Sequence, residues 1–203
     1  MSLMDKIKDK AKSVRKNIVL PEGSEPRTIE AAAKIIEQGI ANVILLGNEE
    51  EIKKANVKNV DLSDAVIIDP ATSPKLQEYA DMFYEMRKKK GITPEQALET
   101  TKDPLYYAVL MIKANDADGM VSGAIHSTGD TLRPALQVIK TKPGVPIVSS
   151  CFIMEHPDSK WGQDGVMVFA DCAVNIDPNA EELAAIAVAS ADSAKDLAGI
   201  ADP

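Results

Sequence analysis

The sequence predicts an α/β protein: a parallel, three-layer αβα sheet domain over residues 1–146, and the beginning of a second α/β unit over residues 147–203. Three observations point there. Short apolar runs alternate with helical patterns through the first half of the chain. Those runs are continuously apolar, as strands buried on both faces are. After Pro146 the alternation stops, and two strand patterns follow one another with only turn formers between them.

Taken in order, Leu3, Ile7, Ala11 and Val14 recur at helical spacing within an opening stretch that runs through Met4–Lys16. Asn17–Pro21 reads as the first strand, and Glu22-Gly23-Ser24 as its turn. Pro26 suits the first turn of a helix that ends at Gly39. Asn42–Gly47 is the second strand, Glu49–Ala55 a polar helix, and Ala65–Asp69 the third strand. Ser73–Lys90 reads as a long helix closed by Gly91, and Thr93-Pro94 opens another. Pro104–Ala114 is helical, Gly119–Gly123 is a buried strand, and Arg133–Lys140 is helical again. Beyond Pro146, Ile147–Met154 and Gly165–Ala170 form an antiparallel pair. Asn179, with Glu182 three residues on, then caps an alanine-rich helix through Leu197. A lone hairpin and one helix bury little. This second unit therefore reads as unfinished, with Leu183, Ile186 and Val188 on an apolar face in search of a partner.

Composition narrows the function classes. Of 203 residues, 45% are hydrophobic and 27% charged, values of a folded globular chain. With 31 acidic and 23 basic residues the net charge is −8, which argues against a nucleic-acid or anionic-membrane partner. No apolar run approaches the length of a membrane span. The only cysteines, Cys151 and Cys172, sit apart among apolar residues. They read as inert core positions of a cytoplasmic protein, and no spacing suggests a metal site.

The segment Ser122–Gln137 carries the strongest chemical signal. It leaves a strand and opens a helix, so backbone N–H groups and the positive helix end can converge on an anion. Ser127 and Thr128 add hydroxyl donors, and Arg133 offers a planar fork for phosphate. An ordinary capped helix uses the same residue types, and the residues alone do not separate the two. Arg87-Lys88-Lys89-Lys90-Gly91 is a second cationic cluster, which reads first as the basic close of a helix and only second as charge for a phosphate-rich ligand. Arg27 lies in a loop at the carboxyl end of a parallel strand, where open α/β sheets bind ligands. His126 reads as a hydrogen-bonding partner of its loop more than as a base.

The run from Ser122 to Thr141 closely resembles the hallmark segment of phosphate acetyltransferases. So do Pro21–Ala33, Arg87–Gly91 and Phe169–Asn175, and the likeness extends from about Ile7 to Pro203. The resemblance implies reversible transfer of an acetyl group between acetyl phosphate and coenzyme A, with release of phosphate. It implies no metal and no cofactor, coenzyme A being a substrate. Arg87 and Arg133 match catalytic arginines, with Arg27 a weaker match, and Ser127 and Thr128 are expected to bind phosphate. Ser159 stands where some members carry a cysteine near the substrate. The family's serine–arginine pair and proposed aspartate base lie in a segment this chain does not contain. The expectation is therefore negligible transfer by this chain alone, and a homo-oligomer, most simply a dimer. A phosphate butyryltransferase-like enzyme and a non-catalytic phosphate or coenzyme A binding fragment are the competing readings.

Overall fold

A computed structural model describes residues 2–203. The chain divides into two compact units: Ala11–Lys140 form one, and the residues up to Lys10 join Thr141–Pro203 in the other. The division falls at Lys140, which leaves its helix with a φ of 67°, and not at Pro146. The start of the first helix, α1 (Leu3–Val14), is claimed by the later unit through two bonds. The Leu3 N–H donates to Glu155 Oε1 at 2.9 Å, and Lys10 Nζ to the Asp196 carbonyl at 3.0 Å.

The unit Ala11–Lys140 is built on a parallel sheet of β1 (Asn17–Leu20), β2 (Asn42–Leu46), β3 (Val66–Ile68) and β4 (Gly119–Met120), in spatial order β3-β2-β1-β4. The continuous apolar runs split by residue parity into two cores, one on each face. Leu20, Val43 and Leu45 pack with Ile29, Ala32 and Ile52 of α2 (Pro26–Glu37) and α3 (Glu49–Ala55). Val19, Ile44 and Leu46 pack on the opposite face. There they meet Tyr79 and Phe83 of α4 (Leu76–Arg87), Ala97 of α5 (Pro94–Thr101), the 107–111 stretch of α6 (Pro104–Lys113), and Val138 of α7 (Thr128–Val138). This is the three-layer αβα arrangement. Met82 and Met86 pack against the second of these cores. The deepest hydroxyls are satisfied: Tyr79 donates to Asp116, and Tyr107 pairs with Ser73, each at 2.5 Å.

Local chemistry sets the helix ends. Asn48, Thr93 and Asp103 cap α3, α5 and α6 with their side chains, and Pro26, Pro94 and Pro104 occupy first-turn positions. The helix expected over Ser73–Lys90 begins at Leu76. It tightens to a 3₁₀ turn at Lys88–Lys90 and stops at Gly91, whose φ is 88°. Two expectations fail near the site. The strand expected over Gly119–Gly123 pairs only at Gly119 and Met120. Val121 adds one backbone bond to Val19 at 3.0 Å but is 64% exposed, because β4 is an edge strand with an uncovered flank. The following helix starts at Thr128, well before Arg133, because Ser127 supplies its cap; Pro134 is carried inside it.

In the other unit, β5 (Cys151–Glu155) and β6 (Val166–Ala170) pair antiparallel, with Ile153 opposite Val168. A helix, α8 (Ala180–Ser193), opens with the Asn179–Glu182 capping box and runs into a π-type turn over Ala194–Ala198. Leu183 and Val188 are exposed as expected, but Ile186 is 2% exposed, its side chain turned into this unit's small core. Cys151 and Cys172 are half-buried and not core positions, because a two-stranded sheet gives them little cover. Among the described residues no helix is long and apolar enough to cross a membrane.

Candidate functional site

The loop between β4 and α7 is organised by a residue a hundred positions away. Glu22 lies two residues past the end of β1, after Pro21, and its carboxylate is held by successive main-chain donors of that loop. Oε2 accepts from Gly123 N at 3.0 Å and Ala124 N at 2.8 Å; Oε1 accepts from Ile125 N at 2.9 Å and His126 N at 3.0 Å. His126 Nδ1 lies 2.8 Å from the same Oε1. Burial alone would raise the Glu22 pKa, but the donated N–H bonds outweigh it and hold the carboxyl at about 2. Gly23 makes the approach possible. A Cβ there would sit 2.4 Å from the Leu46 carbonyl oxygen, to which its own N–H donates at 3.1 Å. Gly123 turns the loop with a φ of 112°. The N–H groups expected to converge on a bound anion thus converge on the protein's own carboxylate.

Anion capacity remains at the helix end and on the arginines. Ser127 is the N-cap of α7: its hydroxyl accepts from Asp130 N at 3.2 Å and donates to Asp130 Oδ2 at 2.7 Å. Thr128 opens the helix and is exposed. Arg133, one turn on, reaches back to Asp130 Oδ1 at 3.1 Å and keeps 62% of its side chain exposed. Spacing of four residues puts Arg133 and Gln137 on one side of α7, and Phe83 and Arg87 on one side of α4. Tyr106 of α6 touches both pairs. Its ring packs edge-on against Phe83 at 5.4 Å, and its hydroxyl donates to Gln137 Oε1 at 3.3 Å. Burial raises the Tyr106 pKa, while Arg133, and more weakly Arg87, pull it back down, so both guanidinium groups act on one hydroxyl. Arg87 is half-buried and has no hydrogen-bond or ion-pair partner among the described residues.

Arg27 joins the same loop from the other side. Its Nε bonds Glu25 at 2.5 Å, and a terminal nitrogen donates to the Ala124 carbonyl at 2.7 Å. Within one unit, therefore, Arg27, His126, Ser127, Thr128 and Arg133 belong to one loop-and-helix segment and its contacts, and Arg87 lies on α4, on the side of that helix where Phe83 meets Tyr106. Two buried hydroxyls in this stretch, Ser122 Oγ and Thr131 Oγ1, have no protein partner. Among the described residues, no group of three or more His, Cys, Asp or Glu side chains is arranged to hold a metal ion.

Sequence reasoning missed Glu22. Its only local signal was an acidic residue at the carboxyl end of a buried strand, followed at once by glycine. It also missed a second carboxylate of the same kind in the other unit. Asp171 accepts from the N–H groups of Ala173 at 3.0 Å, Val174 at 3.2 Å and Asn175 at 2.9 Å, and from the Ser150 hydroxyl. Burial opposes ionisation there too, yet these bonds hold Asp171 well below the usual carboxylate range. Ser159 is exposed in the connector between β5 and β6.

Comparison with known proteins follows the same line. The family described as Phosphate acetyl/butaryl transferase matches residues 2–202. The phosphate acetyltransferase of Thermoanaerobacterium thermosaccharolyticum is 57% identical over 98% of this chain and 61% of its own length. That of Clostridium acetobutylicum is 50% identical over 98% of this chain and 60% of its own. The crystal structure of a phosphotransacetylase from Streptococcus pyogenes superposes with a TM-score of 0.88 at 42% identity, over 97% of this chain and 60% of that one. The chain thus spans about three-fifths of the length of these relatives.

Proposed function

The chain belongs to the Phosphate acetyl/butaryl transferase family, and on that footing we propose that it serves the reversible transfer of an acetyl group between acetyl phosphate and coenzyme A, with release of phosphate. The reaction joins the thiol sulfur to the acetyl carbon and breaks the bond from that carbon to a phosphate oxygen. Charge gathers on the carbonyl oxygen and the departing phosphate, so fixed cationic donors contribute most. In this proposal Arg133 takes the phosphate with its fork, Arg87 adds charge from the end of α4, and Ser127 and Thr128 give the helix end to the same anion. Arg27 holds the loop through Ala124 and contributes charge at its rim.

The observation that supports the reading is Arg133 in the first two turns of α7, its side chain 62% exposed and reaching back to Asp130 beside the Ser127 cap, in a chain of net charge −8. An exposed guanidinium fork beside a helix N-terminus suits a dianionic group such as phosphate. The test is binding of inorganic phosphate and acetyl phosphate by calorimetry, together with thioester formation from acetyl phosphate and coenzyme A. Arg133→Ala is expected to cost about 3 kcal/mol of transition-state stabilisation, the worth of one such donor. Arg133→Lys should restore part of it, since a point charge lacks the fork. Wild-type binding and kinetics in both variants would refute the assignment.

A further inference from the structure

We infer that the cavity between β3 and the start of α4 is a binding site for a free α-amino acid with a branched apolar side chain, whose two charged ends pair with Lys75 and Asp116. The cavity measures about 490 Å³, within the usual range for a small-molecule site of roughly 300–1,000 Å³. It belongs wholly to the unit Ala11–Lys140, on the α4 and α6 side of the sheet. The spatial order β3-β2-β1-β4 puts it at the edge of the sheet opposite the β4–α7 loop, so it is separate from the site assigned to phosphate. Ile44 of β2, Ile68 of β3 and Met111 of α6 give it an apolar floor. Tyr79 and Tyr107 also line it, both buried, their rings packed edge to face at 5.0 Å.

The polar part of the lining is held in place by buried groups. Tyr79 donates its hydroxyl to Asp116 Oδ2 at 2.5 Å, and Lys75 Nζ donates to the same oxygen at 2.6 Å. Asp116 Oδ1 has no hydrogen-bond partner among the described residues, and the ammonium keeps two of its three N–H groups. Both side chains stay open to a ligand, Lys75 44% exposed and Asp116 31%. The other carboxylate of the lining, Asp69, is taken up by Ala71 N at 2.9 Å and Asn48 Nδ2 at 3.2 Å. Ser73 and Tyr107 pair their hydroxyls at 2.5 Å, which uses one of their two hydrogens and leaves the other to donate. An ammonium and a carboxylate fixed side by side sum to no charge. An anion arriving alone meets Asp116, and a cation arriving alone meets Lys75. A zwitterion meets each with the opposite sign: its carboxylate takes Lys75 and its ammonium takes Asp116 Oδ1, each through a charge-assisted bond. An α-amino acid carries those two ends on a single carbon, a spacing that suits partners 2.6 Å apart. Its apolar side chain is then free to settle on Ile44, Ile68 and Met111, where burial favours a branched group.

The probes are L-leucine and two analogues that each lack one charge: isocaproate, without the ammonium, and isoamylamine, without the carboxylate. Titration into the chain labelled with ¹³C at its methionine methyls reads the cavity through Met111, one of eight methionines, assigned with Met111→Leu. L-Leucine should move the Met111 resonance saturably and leave Met154 and Met167, on the hairpin of the other unit, in place. Each analogue should bind about tenfold more weakly or worse, since it forfeits one charge-assisted bond and leaves a charge of the site unanswered. A Met111 resonance that leucine does not move overturns the inference. So does binding of either analogue as tight as that of leucine, which would reduce the cavity to a recess with no use for its paired charges. Lys75→Met leaves Tyr79 as the partner of Asp116 and should fold as the wild type, with leucine affinity lowered about tenfold. Wild-type affinity in that variant also overturns the inference. The three-ligand series uses the unaltered chain, so it decides whether or not substitution at Lys75 disturbs the fold.

Discussion

Glu22→Gln isolates the energetic worth of the clamp between β1 and the loop before α7. The carboxyl is held at about 2 against an ordinary 4.5, and at 1.36 kcal/mol per pH unit this is about 3 kcal/mol. The side chain is 2% exposed, so solvent screening takes little from that figure. The sign follows from the direction of the shift. A depressed folded-state pKa stabilises the fold fully above 4.5, and the contribution is lost as pH falls from there towards 2. Glutamine cannot ionise, so the variant lacks this pH-dependent part. It also turns an amide N–H₂ towards donors that now meet oxygen, a pH-independent cost of about 1–3 kcal/mol. Urea unfolding of both proteins from pH 7 to pH 3 measures the difference. The near-UV signal of tyrosine reports this unit alone, because Tyr79, Tyr84, Tyr106 and Tyr107 all lie between Ala11 and Lys140. The stability gap should narrow by most of the 3 kcal/mol across that range. A gap that stays constant would refute the account of Glu22 as a buried, ionised, hydrogen-bonded anion.

Two further outcomes follow from the same geometry. Arg87→Ala removes a side chain with no hydrogen-bond or ion-pair partner among the described residues, so stability should shift by less than about 0.5 kcal/mol while phosphate affinity falls roughly tenfold or more; calorimetry showing unchanged affinity would remove Arg87 from the site. Ser150→Ala takes the acceptor from Cys172 N at 3.1 Å and a donor from Asp171. It should cost about 1–3 kcal/mol in the unit that holds Trp161, read by the fluorescence of that single tryptophan during urea unfolding, and an unchanged midpoint would contradict the role given to Asp171.

What the sequence made legible was local. Asn48, Thr93, Asp103 and Asn179 cap helices with their own side chains, and the cap chemistry is written within four residues. The apolar runs Asn17–Leu20 and Asn42–Leu46 announced strands buried on both faces, and the two cores found on either side of the sheet bear that out. What it hid was tertiary. Nothing near Gly123 says that its N–H will meet Glu22, and nothing near Glu22 says that a turn residue will be 5% exposed. Val121 and the cysteines were misjudged for a related reason. An apolar residue is buried only if something covers it, and the edge strand and the hairpin leave those flanks open.

The candidate site had the same split. Ser127, Thr128 and Arg133 lie within the first two turns of one helix, so their relation needed only the helix, whereas Arg87 sits on a different helix, and its relation to them depends on the fold. The clamp then changes where the positive charge of the site comes from. An ionised carboxylate next to a phosphate site would repel its ligand, yet Glu22 is wrapped by four N–H dipoles that answer its charge locally, with His126 Nδ1 2.8 Å away. Those dipoles are consequently spent, and they cannot also bind substrate. Under the proposed function, phosphate affinity rests on the guanidinium groups and the α7 end, not on a loop of backbone donors. That is why, under the proposed function, substitution at Arg133 or Arg87, rather than remodelling of Gly123–His126, is the decisive perturbation for binding.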